Sequence, residues 1–366
     1  MTMSMTTEWN AAAHLLCVQL GSLGDVLLCT PALRALRAQC PDRKVTLLAS
    51  PSGAAVGPYL PDVDAVLSYA APWSKNGTTA APSAHLDWIA TLAAQRFDGA
   101  VIFTNRSASA LPAALLCRLA DIPLRAAWCR DDPSWLLTHW IADPEPGAML
   151  RHPVQRQLDL VRRLGADIAD DRLAFVPTQQ DLARMRTRLQ AAGIDPAGRW
   201  LVLHLGAGAQ ARRWPQHRWS ELIRALHERI ACPLVLAGGA REVALIDALA
   251  LPPGARVHSL AGQLAIGELG ALLAQASLLL GADQEAALLA AAVGRPVVHL
   301  GEPSDPQHTP WRVPSRVLNH AMERPDGQGA RHHEDTDGPA PAQAADAVCS
   351  LLKQTESDRI RAAIRA

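Results

Sequence analysis

The sequence predicts an α/β protein: two doubly wound, parallel-sheet domains followed by a C-terminal helix. Three observations carry that expectation. Short β-type runs alternate with longer Ala/Leu-rich stretches at helical spacing almost throughout, the pattern of βαβ units assembled into parallel sheets. The chain has 366 residues, more than one hydrophobic core usually supports. Glycines stand where strands hand over to helices, at Gly21 and Gly24, Gly206 and Gly208, and Gly238 and Gly239. Sheets of this kind bind ligands at the carboxyl ends of their strands.

The strand candidates of the first half are LLCVQL, VTLLAS, the short AVLSY and GAVIFTN; those of the second half are WLVLHLG, CPLVLAGG, ARVHSLAG, ASLLLGAD and RPVVHLGE. A helical pattern over about 154–164 and a turn-rich segment separate the two series. The expected organisation is a loose N-terminus over 1–13, a first domain over 14–178, a second over 179–325, and a polar loop with a terminal helix over 326–366, the helix beginning near 342.

Composition excludes several classes. Lys+Arg and Asp+Glu number 35 each, so no global basic field recruits nucleic acid or an anionic membrane, and an anionic ligand needs a local site. The seven cysteines show no C-x-x-C spacing, which suits reduced, buried thiols. The opening MTMSMTTEWNAAAH lacks the basic residues and apolar core of a signal peptide, and no apolar run reaches the ~18–20 residues that span a bilayer. A cytoplasmic monomer with at most peripheral membrane contact is expected. Adjacent histidines in the late HHED run make a poor metal site, and no bound metal is expected.

Four stretches could carry chemistry. In CVQLGSLGDVLLCTPAL, a strand runs through a tight turn into a helix, and Asp25 sits at the junction behind Ser22 and Gly24. It is either a helix-start aspartate or a catalytic carboxylate. In VLHLGAGAQARRWPQHRW, Gly206, Ala207 and Gly208 let backbone N–H groups approach an anion, and Arg212 and Arg213 follow; the arrangement suits a phosphate, or is a loop with solvated arginines. Glu242 falls in the first turn after Gly238-Gly239, where the helix dipole favours it and where it could also accept hydrogen bonds from a ribose. Asp283 follows a strand end at Gly281, as an N-cap or as part of a cleft.

Taken together, these segments resemble the bacterial heptosyltransferases of glycosyltransferase family 9. The chain's SLGDVLLCTPALRAL matches the family's Ser-(Leu/Met)-Gly-Asp loop and Pro-Ala-Leu helix. HLGAGAQARRWP matches its His-Pro-Gly turn and basic-Trp-Pro run, with Leu205 in place of proline. LAGQLAIGEL and GEPSDP match two further segments.

The resemblance implies the GT-B architecture, two Rossmann-like domains facing a cleft. It implies transfer of a heptose from a nucleotide diphosphate donor, ADP-heptose above all, to a sugar hydroxyl of a lipopolysaccharide core, with inversion and without tightly bound cofactor or metal. The donor belongs to the second domain, the glycan or glycolipid acceptor to the first. On this reading Asp25 is the general base, with Ser22 and Gly24 in its acceptor-side loop. Gly206, Ala207, Gly208 and Arg212 hold the diphosphate, Glu242 lies near the ribose, and Asp283 keeps the family's aspartate.

One segment departs from the pattern. Where the family reads close to Gly-Asn-Asp-(Ser/Thr)-Gly-x-x-His-Leu-Ala-Ala-Ala, this chain has Glu285 for the glycine and Leu288 for the histidine. Like charges a few ångströms apart cost about 1–4 kcal/mol at effective dielectrics of about 80 to 20. Glu285 therefore either faces solvent, or the donor differs, or catalysis has been lost. Two rivals stay open: a family member using another nucleotide sugar, and a non-catalytic nucleotide-sugar-binding protein.

Overall fold

A computed structural model of the chain describes residues 5–74, 81–145, 147, 149–206, 214–230, 232–301, 309–319 and 338–365. Its contacts divide it into two units that part between Phe175 and Val176.

The first unit runs α1 (Met5–Ala11), β1 (His14–Gln19), α2 (Leu23–Gln39), β2 (Lys44–Ala49), the single turn α3 (Pro51–Ala54), β3 (Ala65–Ser68), α4 (Pro82–Ala94), β4 (Gly99–Ile102), α5 (Leu111–Leu119), β5 (Leu124–Cys129), β6 (His139–Ala142) and α6 (Pro153–Arg163). Its six strands are all parallel in the order β3-β2-β1-β4-β5-β6. The inner strands are continuous apolar runs because helices cover both faces: Leu15, Leu16, Cys17 and Val18 of β1 are all buried. Pro31 interrupts α2 and has no N–H for the Leu27 carbonyl; the Thr30 hydroxyl donates to that oxygen instead, at 2.7 Å.

The expectation of a loose N-terminus fails over residues 5–11. Trp9 of α1 is 0% exposed, seated so closely on the start of β4 that a Cβ at Gly99 would meet its ring at 2.9 Å. Glu8 pairs with His139 at 3.1 Å, and the buried Arg43 donates to the carbonyls of Trp9 and Ala12. Burial of one large indole and capping of its carbonyl fix a segment whose polarity reads as disordered.

The second unit runs α7 (Gln179–Ala191), β7 (Leu201–His204), α8 (Gln216–Arg229), β8 (Leu234–Ala237), the short α9 (Val243–Asp247), β9 (Val257–Ser259), α10 (Ile266–Gln275), β10 (Leu278–Gly281), α11 (Gln284–Ala292), β11 (Val297–Gly301), β12 (Ser315–Asn319) and α12 (Pro341–Arg365). Its sheet, β12-β11-β10-β7-β8-β9, is again all parallel. Leu201 and Leu203, Leu278 and Leu280, and Val298 and Leu300 face one core with α8 and with Ala344, Val348 and Leu351 of α12. The terminal helix is part of that core.

Strands β5, β6 and β12 are additional to those the sequence pattern shows. β5 reads LRAAWC, and its Arg125 is buried because the guanidinium donates to the carbonyls of Ile122, Pro123 and Leu136. Both units repeat one strand order, with the first strand flanked by the second and the fourth. Their topological switch points lie between β1 and β4 and between β7 and β10. Among the described residues, no helix is long and apolar enough to cross a membrane.

Candidate active site

At the carboxyl end of β1, Gln19 is buried and its side-chain oxygen accepts the Gly21 N–H at 3.0 Å. Ser22 is the N-cap of α2 and Asp25 is its third residue. The Ser22 hydroxyl accepts the Asp25 N–H at 3.3 Å, and Asp25 Oδ2 accepts the Ser22 N–H at 2.8 Å. This reciprocal capping box explains the residue types at both positions. Gly21 is required beneath it, since a Cβ there would lie 2.4 Å from Asp25 Oδ2. Gly24 is buried inside the first turn. The end of β2 braces the same turn, with the Ser50 hydroxyl donating to the Gly21 carbonyl at 2.6 Å. Asp25 is thus fixed through Oδ2, and among the described residues Oδ1 has no hydrogen-bond partner.

The other wall of this switch point follows β4. The Thr104 carbonyl accepts from Arg156 Nε and from Gln157 Nε2, each at 3.0 Å. Asn105 Oδ1 then accepts from Ser107 and Ala108 and closes an Asx turn. Arg156 is 3% exposed and is held bidentately by Asp143 at 2.8 and 2.7 Å and by Glu145 at 2.5 Å. Arg151 joins at 3.3 Å to Glu145 and 3.2 Å to Asp159, with its guanidinium 4.5 Å from the Trp128 ring centroid. Burial raises the Asp143 carboxyl, but hydrogen bonds from Arg156 and from the Glu145 N–H, with the charges of Arg156 and Arg151, outweigh it and hold it below the usual carboxylate value. No local pattern in the sequence singles out this network.

In the second unit, His204 closes β7 and Gly206 follows two residues on. Ala207, Gly208, Arg212 and Arg213 lie outside the described residues, as do the Glu302-to-Pro306 part of GEPSDP and the HHED run. Trp214, after them in the chain, is buried, donates to the Pro339 carbonyl at 3.2 Å and meets Trp219 edge-on at 5.0 Å. The Arg-Trp-Pro run therefore contributes a core residue at its centre.

Glu242 Oε2 accepts the Gly239 N–H at 2.9 Å, and its carboxyl carbon would lie 3.7 Å from a Cβ on Gly206. It serves as a cap and stands beside Gly206. Asp283 is the N-cap of α11, Oδ1 accepting the Ala286 N–H at 2.8 Å. Across β8, β7 and β10, three adjacent strands, Glu242, His204 and Asp283 collect at one edge.

Glu268 of the LAGQLAIGEL segment accepts the Ala265 N–H at 3.1 Å and pairs with Arg188 at 3.5 Å, which ties α10 to α7. Among the described residues, no group of three His, Cys, Asp or Glu is placed to hold a metal ion.

Glu285 is exposed in the first turn of α11, whereas Leu288 is 2% exposed. An exposed carboxylate is hydrated and screened, so the repulsion that the sequence suggests is reduced. Glu285→Gln is expected to change ADP affinity by less than about twofold at physiological salt; calorimetry at two ionic strengths checks this. Leu288 is buried, so a histidine at that position would give up its hydration and cost free energy wherever it found no polar partner.

Residues 87–334 match a family model described as glycosyltransferase family 9 (heptosyltransferase). The chain belongs to glycosyltransferase family 9. Lipopolysaccharide heptosyltransferase 3 of Escherichia coli is 28% identical over 300 residues, 79% of this chain and 83% of that protein. A family 9 glycosyl transferase from Veillonella parvula aligns with a TM-score of 0.76 at 17% identity, over 96% of this chain and 100% of its own. E. coli heptosyltransferase WaaC, solved with ADP-2-deoxy-2-fluoro heptose, aligns with a TM-score of 0.65 at 20% identity, over 93% of this chain and 99% of its own. Membership makes the chain a glycosyltransferase, and the family 9 fold is the GT-B fold with its two Rossmann-like domains.

Proposed function

We propose that the protein is an inverting transferase that moves a heptose from ADP-heptose to a sugar hydroxyl of a lipopolysaccharide core or related glycan or glycolipid, acting as a cytoplasmic monomer. The observation that carries this reading is Asp25: its carboxylate is locked through Oδ2 by the Ser22 N–H at a switch point, with Oδ1 left over. A general base needs that combination of fixed geometry and a spare oxygen.

In the step proposed, Oδ1 takes the proton of the acceptor hydroxyl while that oxygen bonds the anomeric carbon. The bond from this carbon to the diphosphate breaks on the opposite face, and ADP leaves with the electron pair. The donor is assigned to the edge bearing Gly206, Glu242 and Asp283, together with Ala207, Gly208 and Arg212 from the sequence. Glu242 and Asp283 each spend one carboxylate oxygen on a cap and keep the other for donor hydroxyls. The ADP-sugar in the WaaC structure supports the choice of nucleotide. The buried Leu288 favours one second reading, a different nucleotide sugar on the same scaffold.

Arg212→Ala tests the donor assignment. Charge-assisted bonds to phosphate contribute roughly 1.5–3 kcal/mol each, so ADP affinity is expected to fall by about tenfold or more, with the acceptor KM little changed. Calorimetry with ADP reads it, and unchanged affinity places the diphosphate elsewhere.

A further inference from the structure

Two strand ends of the second unit repeat one local sequence: His204-Leu205-Gly206 closes β7 and His299-Leu300-Gly301 closes β11. The two strands flank β10, and the register sets both histidines opposite Gly281. Their side chains share one face of the sheet, since Leu203, Leu205, Val298 and Leu300 on alternate positions fill the core on the other. Each ring folds forward over the glycine two residues on. A Cβ on Gly206 would come within 2.9 Å of His204 Cε1 and 3.3 Å of Nδ1, and one on Gly301 within 2.9 Å of His299 Cδ2. Both histidines are buried, 8% and 6% exposed, and both lie beneath the edge where Asp283 caps α11.

The geometry points to His204 as a proton-linked subsite for the diphosphate of a nucleotide donor: the imidazole takes up a proton as the anion settles beside Gly206 and becomes its counter-charge. This inference rests on the reading that a nucleoside diphosphate binds the second unit.

The surroundings explain why the proton arrives with the ligand. Burial lowers the basicity of His204, and the carboxylates of Asp283 and Glu242, which raise it, do not make up the difference, so the ring is neutral in the free protein at pH 7. Its Nδ1 has the Gly206 backbone beside it but no hydrogen bond of proper geometry among the described residues. Among the described residues, the charged and titratable groups around it come from three elements: Glu242 after β8, Asp283 at the head of α11 and His299 on β11. Glu285 of α11 is exposed, and Glu268 at the head of α10 is paired with Arg188. A diphosphate adds at least two negative charges to two carboxylates already present. A proton on the imidazole between them offsets that repulsion at little cost in reorganisation, because the ring is already packed in place.

The test is the titration of the His204 Cε1–H resonance in the full chain, with ADP as probe. The 13 histidines are sorted by the resonance lost in His204→Asn. The midpoint is expected below 6.5 without ADP and at least about one pH unit higher with saturating ADP. ADP titrates near neutrality itself, so affinities are compared between proteins. Between the two midpoints, wild-type ADP affinity should rise by up to about tenfold per unit fall in pH beyond the rise shown by His204→Asn, and His299→Asn should keep that extra dependence. A midpoint that ADP does not move, or a linkage that follows His299 instead, overturns the assignment while the donor reading stands. Absence of ADP binding in the wild-type protein overturns both.

Discussion

Asp25→Asn is expected to lower transfer by about 10²–10⁴-fold, the range that loss of a positioned general base commonly costs. Asparagine retains a carbonyl oxygen for the Ser22 N–H, the 2.8 Å contact that fixes the carboxylate in the native turn, so α2 keeps most of its cap and the fold survives. What disappears is the second, basic oxygen. The effect should therefore fall on kcat and leave ADP affinity within about twofold, since interactions made only as the reaction proceeds lower kcat without changing ground-state binding. Release of ADP in a coupled assay and calorimetry with ADP separate the two. A variant that keeps most of its turnover removes Asp25 from the reaction.

Arg156→Met is expected to destabilise the first unit by about 3–5 kcal/mol, the usual penalty for stripping one partner from a buried ion network. Asp143 and Glu145 would lose the guanidinium that both contact, and the Thr104 carbonyl would keep only the Gln157 amide. Urea unfolding measures the loss. Adding Asp143→Asn should recover part of it by removing one uncompensated charge. The network also sets a pH dependence. Because the folded state depresses the Asp143 carboxyl, its contribution is fully present above the unfolded value of about 4 and disappears as pH falls through the lower native one. Wild-type stability should decline below about pH 4 more steeply than that of the Arg156→Met protein.

Much of the candidate site's local geometry was legible in the sequence because its signals are local. Ser22 and Asp25 are three positions apart, a spacing that both caps a helix and aims a carboxylate, and the apolar runs of β1, β4, β7, β8, β10 and β11 announce buried parallel strands. The remainder depends on distant partners. Arg156 meets Asp143 from 13 positions away and Thr104 from 52, so neither the burial of four charges nor their hold on the β4 loop shows in any window of sequence. Trp9 reads as part of a polar tail until Gly99 offers it a seat. β5 is hidden by two alanines and an arginine whose charge is satisfied by carbonyls of the segment just before the strand and of the loop after it. Asp283 and Glu242, ambiguous between cap and ligand, turn out to be caps, each with one oxygen that has no hydrogen-bond partner among the described residues.

Heptosyl transfer from ADP-heptose is tested by incubating the purified chain with a panel of nucleotide sugars and a heptose-deficient lipopolysaccharide core, and following nucleotide release together with the anomeric configuration of the product. ADP-heptose is expected to be consumed, ADP to appear in step with glycosylated core, and the new linkage to be inverted relative to the donor. Turnover of a different nucleotide sugar with ADP-heptose left untouched, or a product of retained configuration, would contradict it.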